Sequence, residues 1–253
     1  QAEDGIRDAL VGLVGSEMCI RDRLHDPGSS TCSYLIWDES TGEAALIDPV
    51  LDQLARDLRM LNERGLTLRY ILETHVPIDH ITSSGRLREL KKAAVLVPEG
   101  YGSKNPDVLL RDNDRIPLGN GRIHVISTPG HSQYAVSYYI PGAVFTGDTL
   151  LVGSCGRTDL QSGDAGVLYD SITRRLFTLP GETVVYPGHN GSGRPFSTIR
   201  EERHGNPRIG NGRSREDFIA IMKNLRLDPP SSLHETLSHN LRNGLSGADS
   251  LTA

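Results

Sequence analysis

Short β-like apolar runs alternate with helical stripes along most of this chain. Ser33–Trp37 and Ala44–Asp48 read as two strands, joined as a hairpin by the polar turn Asp38–Gly42 and stopped by Pro49. Leu51, Leu54, Leu58 and Leu61 recur at helical spacing from Leu51 to Arg64, and Gly65 closes the stripe. Leu66–Leu72 reads as a strand interrupted by Thr67 and Arg69, and a helical pattern follows from about Asp79 to Lys91. Ala93–Val97 is a strand ended by Pro98, whereas the polar stretch Tyr101–Asp114 supports no firm element. Arg122–Ser127, Tyr134–Ile140, Ala143–Phe145 and Thr183–Tyr186 are further strands, with a helix from Asp164 or Ala165 through Phe177. Pro195–Arg203 and Arg215–Leu225 read as helices, the second opened by the N-cap candidate Ser214, and from Pro229 the chain looks irregular. Strands before helix, twice over, fit an α/β chain of two sheets packed face to face with helices outside.

Composition narrows the class. The 253 residues are 37% hydrophobic and 23% charged, which suits one α/β domain with a sizeable core. A formal charge of −5 gives no sign of nucleic-acid or membrane affinity, and no apolar run is long enough to span a bilayer. Three cysteines, Cys19, Cys32 and Cys155, make no disulfide framework, so a reducing compartment is expected. Residues 1–23 do not match the rest: acidic residues precede the short Ala9–Val14 apolar patch, unlike a signal peptide. They resemble translated sequencing-adapter read-through, and are expected to be a non-native leader to a domain spanning 24–253.

The candidate chemistry centres on Glu73-Thr74-His75-Val76-Pro77-Ile78-Asp79-His80, where a strand turns toward a helix. Imidazole and carboxylate are the usual ligands of zinc and iron. The stretch resembles the HxHxDH metal motif of the metallo-β-lactamase superfamily, with Pro77 where the second His belongs. Thr128-Pro129-Gly130-His131, Phe145-Thr146-Gly147-Asp148 and Tyr186-Pro187-Gly188-His189 follow in the superfamily's order. Each ends a β-like run and places a Gly before the ligand candidate, which lets the backbone turn sharply. In the superfamily's binuclear hydrolases the first metal takes three His, here His75, His131 and the position of Pro77. The second takes Asp79, His80 and His189, with Asp148 bridging. The first set is one short. His75, His131 and Asp148 remain, the composition of the facial triad that holds non-haem Fe(II).

Further elements carry a narrower resemblance. Asp48-Pro49-Val50, Cys155-Gly156-Arg157-Thr158-Asp159, Leu168-Tyr169, Phe177-Thr178-Leu179-Pro180-Gly181 and Asn206-Pro207-Arg208 are similar to the persulfide dioxygenase (sulfur dioxygenase) family, from about Asp26 to Leu227. That resemblance implies a metallo-β-lactamase-like αββα sandwich of two mixed β-sheets. It implies one Fe(II) on His75, His131 and Asp148, and oxidation of glutathione persulfide, or a related small-molecule thiol persulfide, with O2 to sulfite and thiol. Arg157 would grip a glutathione carboxylate, and Asp79, His80 and His189 would orient ligands from behind or hold an alternative metal. Cys155 reads as a buried packing residue. Asn190 and Gly191 stand where the family tends to have Asp-Tyr, and Asn243 where it has Cys. Two other readings stay open: a zinc-dependent (Zn) hydroxyacylglutathione thioester hydrolase of the glyoxalase II type, and a degenerate non-catalytic member. The expected partners are the persulfide and O2, with no nucleic acid and no membrane; a homodimer stays open. A cytoplasmic, bacterial setting is expected.

Overall fold

A computed structural model of the chain describes residues 18–160, 162–189, 193–226 and 233–245. They form two compact units. The first takes in the described residues up to Leu110, Ile116–Ile123 and those after 230; the second takes in Arg111–Arg115 and the described residues from His124 to 226.

The first unit is built on a six-stranded sheet in chain order: β1 (Met18–His25), β2 (Cys32–Asp38), β3 (Glu43–Ile47), β4 (Thr67–Leu72), β5 (Ala94–Pro98) and β6 (Val108–Leu110). Antiparallel pairing joins β1 to β2 and β2 to β3; β3 to β6 run parallel, so the sheet is mixed as expected. The parallel steps need crossovers. Helix α1 (Leu54–Glu63), entered through a 3-10 turn at Leu51–Gln53, supplies one and α2 (Ser84–Lys91) another. Leu54, Leu58 and Leu61 of the predicted stripe pack on Leu35, Leu46, Ile71 and Val95, with Leu87 of α2 in the same cluster. Burying a leucine such as Leu61 contributes about 1.5–3 kcal/mol.

The second sheet has the order β14 (Ser197–Thr198), β13 (Val184–Pro187), β10 (Ala143–Gly147), β9 (Val136–Ile140), β8 (Gly121–Ser127) and β7 (Arg115–Leu118). It is mixed too: β10 and β13 are parallel, while β8, β9 and β10 are antiparallel neighbours. A small hairpin, β11 (Leu150–Leu151) and β12 (Ser154–Cys155), follows β10. Helices α3 (Ala165–Ser171, continued by a π turn through Leu176), α4 (Ile199–Gly205) and α5 (Arg215–Asn224) complete the unit. Leu168, Ile172, Phe218 and Met222 bury against Val144 and Val185 of its sheet. Ser214 caps α5 as expected, accepting from the Asp217 amide.

Five expectations need correction. Met18–Arg23, assigned to the leader, belong to β1 and pair with β2. Strand pairing is a backbone property, and this edge strand has no polar–apolar alternation to announce it; residues 1–17 lie outside the described residues. The motif helix begins at Ser84 rather than near Asp79, because the backbone of the preceding residues is spent elsewhere. Leu51 N–H donates to Ile81 O, Ser83 N–H donates to Pro49 O, and Val50 bridges Thr82. β6 lies within the Tyr101–Asp114 stretch that supported no firm element, and β7 directly follows it, the two being only three and four residues long. Ser197–Thr198 are a strand, and a capping box between Thr198 and Glu201 starts α4. Lastly, the tail is not wholly irregular: Leu233–Asn240 form α6.

Candidate metal centre

In the first unit, β3 and β4 run parallel with Ile47 opposite Leu72, so the residues leaving both strands emerge side by side. Asp48 leaves β3 with φ +48°, its N–H donating to Leu72 O. Its carboxylate accepts from Thr74 N at 2.7 Å and from Thr74 Oγ1 at 2.8 Å. Thr74 Oγ1 also lies 2.9 Å from His75 Nδ1. A hydroxyl has one proton, and the carboxylate takes it. His75 Nδ1 must therefore donate, and its lone pair sits on Nε2, the atom left for a metal. Glu73 turns away to Thr82 and Ser84; burial, reinforced by the Asp48 charge, holds its pKa well above the ordinary carboxylate range.

Asp79 and His80 form a separate group around Thr31, whose Oγ1 is 3.3 Å from Asp79 Oδ2 and 3.1 Å from His80 Nδ1. His80 Nε2 is buried without a hydrogen-bond partner.

The second unit repeats the arrangement. β10 and β13 are parallel neighbours, Gly147 opposite Pro187, so Asp148 and His189 leave the sheet together. Gly147 has φ +48°, and a Cβ on Gly188 would fall 2.6 Å from Asp148 Oδ1, so both glycines are needed for the approach. His189 Nδ1 is 2.6 Å from Asp148 Oδ1. The other oxygen, Oδ2, faces His131 Nε2 at 3.8 Å. His131 hangs from the loop between β8 and β9, which Ser171 Oγ anchors by donating to Pro129 O at 2.6 Å. Its Nδ1 lies 2.9 Å from the backbone oxygen of Arg157. A carbonyl only accepts, so His131 Nδ1 carries the proton and Nε2 is again the available ligand atom.

Among the described residues one group of side chains could hold a metal ion: His75, His131 and Asp148, whose ligand atoms all lie within 4.8 Å of one another. Asp79, His80 and His189 do not form a second such group among those residues. Zinc or iron ligands sit roughly 2 Å from the ion, hence at most about 4 Å apart. His131 Nε2 and Asp148 Oδ2, at 3.8 Å, are already within that span. Two imidazoles fixed with outward lone pairs and one carboxylate fit a divalent ion.

Comparisons with known proteins identify the family. A family model described as the metallo-β-lactamase superfamily matches residues 26–189. The human protein named persulfide dioxygenase ETHE1, mitochondrial, is 39% identical over 236 residues, covering 92% of each chain. The crystal structure of ETHE1 from Myxococcus xanthus superposes with a TM-score of 0.87 at 48% identity, covering 90% of this chain and all of that one. The chain belongs to the persulfide dioxygenase family of the metallo-β-lactamase superfamily. A hydroxyacylglutathione hydrolase from Brucella anthropi is 37% identical over 171 residues, but that match covers 66% of this chain and 59% of the hydrolase.

For a persulfide dioxygenase, the Cys155-Gly156-Arg157-Thr158-Asp159 element has a clear structural use. A Cβ on Gly156 would collide with the backbone oxygen of Asp148 and lie 2.8 Å from His131 Nδ1, so only glycine lets the chain pass and deliver the Arg157 carbonyl. The Arg157 guanidinium pairs with Asp159 through two bonds of 2.8 Å, one edge of its fork being taken within the element. Cys155 is buried beside Met222, and burial pushes its pKa up to about 11, the behaviour expected of a packing residue. Asn190 and Gly191 lie outside the described residues. Asn243 is a structural tie in the first unit: its side chain accepts from Ser103 Oγ and donates to Asn105 O. Sequence reading missed Thr74, which sits inside the motif, and the role of Asp48. The signal was available in Asp48 followed by a proline and in a hydroxyl next to His75. Among the described residues no helix is long and apolar enough to cross a membrane.

Proposed function

We propose that His75, His131 and Asp148 hold one Fe(II), and that the chain uses it to oxidise glutathione persulfide, or a related low-molecular-weight persulfide, with O2. The balanced reaction takes the persulfide, O2 and water to the thiol, sulfite and two protons. The observation that carries the metal reading is the pair of fixed tautomers: Asp48 through Thr74 for His75, and the Arg157 carbonyl for His131. A ferrous ion bound there would supply open positions where persulfide sulfur and O2 meet, and charge to stabilise developing anions.

The chain's own residues do the rest. Asp148 lowers the net charge of the site while His189 holds its second oxygen and sets the carboxylate's direction. His75 is 8% exposed, so bulk water has little access to that ligand. Pro77 has no ligand atom and leaves the three-residue set intact. Asp79 and His80, around Thr31, would steady the loop after His75. Arg157 is the proposed partner of a carrier carboxylate. The partial coverage of the hydrolase and the absent donor at Pro77 weigh against a zinc thioester hydrolase.

Oxygen uptake by anaerobically iron-loaded chain, given glutathione persulfide, tests this, with iron measured per chain. One iron per chain and persulfide-dependent uptake are expected. Iron bound without uptake, or thioester hydrolysis by the zinc-loaded chain instead, would overturn it.

A further inference from the structure

We propose that Asn240, at the end of the C-terminal helix α6, is a positioning residue for the metal centre, a role that rests on the metal reading above. Asn240 is completely buried. Its Nδ2 donates to Pro77 O at 2.9 Å and to His80 O at 2.8 Å. Its Oδ1 accepts from Thr82 N at 2.9 Å. Two carbonyls on one side of the amide and an N–H on the other admit a single orientation of the side chain. Both donors and the acceptor are thus spent on one short loop, which starts two residues after His75 and carries Asp79 and His80.

That loop has no helical bonds of its own until α2 begins at Ser84. Buried peptide groups left without partners are costly. The segment Pro49–Leu51 serves Ile81 and Ser83, and Asn240 serves Pro77, His80 and Thr82. The path of the chain beyond His75 is therefore set by a residue more than 150 positions away in sequence. The same segment also closes on the start of α2: Gly85 N–H donates to Asn243 O at 2.8 Å. Gly244, at φ +76°, packs so tightly on the Thr82 carbonyl that no Cβ would fit. Asn243 makes its side-chain bonds to Ser103 and Asn105 instead, away from the 77–82 loop, which makes it the control.

Cobalt(II) serves as the probe, because its visible absorption reports ligand geometry independently of turnover. Asn240→Ala removes all three bonds, and Asn240→Asp keeps the acceptor but loses both donors. Both variants are expected to weaken cobalt(II) binding about tenfold or more and to change its visible spectrum. Asn243→Ala is expected to lower the thermal midpoint while leaving affinity and spectrum at wild type. The proposal fails if the Asn240 variants bind cobalt(II) as the wild type does, if Asn243→Ala perturbs the spectrum equally, or if neither Asn240 variant folds, the last showing a purely structural residue. A wild-type chain that takes up no cobalt(II) would instead sink the metal reading itself.

Discussion

His131 Nδ1 donates to the backbone oxygen of Arg157 at 2.9 Å, so the Cys155–Asp159 element reaches the His131 imidazole through its main chain. Gly156 makes this contact sterically open. Gly156→Ala is expected to push the 155–157 segment off His131 and weaken metal binding about 10- to 100-fold. Metal titration checks it; wild-type affinity in a folded Gly156→Ala chain would show that the close approach does not matter.

Arg157 itself separates main-chain from side-chain roles. Arg157→Lys keeps the carbonyl and the charge but loses the planar fork that meets Asp159. Metal content should be unchanged, and KM for the persulfide should rise with kcat less affected, as for lost uniform binding. An unchanged KM would assign the guanidinium to the Asp159 pair alone.

Thr74 fixes the His75 tautomer, so its hydroxyl should matter and its methyl should not. Thr74→Val is expected to lower metal affinity about 10- to 100-fold, whereas Thr74→Ser should stay near wild type. Equal losses in both variants would point to packing rather than to the proton on Nδ1.

Asp38 gives a pH-dependent term in stability. Burial raises its pKa, but hydrogen bonds led by Ser40, with Asn120 and Thr41, outweigh that and bring it from the usual 3.8 down to about 2. The folded value lies below the unfolded one, so the contribution is fully present above pH ~4 and is lost as pH falls through ~2. Asp38→Asn should cost about 1–3 kcal/mol at neutral pH, by turning a donor toward the Asn120 amide, and progressively less toward pH 2. Urea unfolding at pH 7 and pH 3 measures this; a cost that does not shrink at pH 3 would contradict the ionised-acceptor explanation.

β1 pairs with β2 from Met18 to His25, with a register shift between Ile20 and Asp22. Of two shortened chains, one beginning at Met18 and one at Leu24, the second should melt several degrees lower, equivalent to about 1–2 kcal/mol. Equal thermal midpoints would show that the pairing of residues 18–23 adds nothing to stability.

The candidate metal ligands could be named from the sequence because each stands where a β-like run meets a glycine or a turn, in the order of the superfamily's motifs. Strand alternation and the α1 stripe were legible for a related reason: burial of one face repeats along the chain with a fixed period. Three things had no such local signature. β1 and β6 are edge strands, whose existence depends on backbone partners far away in sequence. The α2 start was misplaced because hydrogen bonds from Pro49–Leu51 and Asn240 override the helical pattern over Asp79–Ser83. The imidazole tautomers depend on which oxygen lies within about 3 Å of each Nδ1, one from the neighbouring residue and one from Arg157, 26 positions on. Periodicity records what a residue buries. Only the folded chain decides which distant peptide group or hydroxyl it meets, and here those meetings orient the His75 and His131 rings.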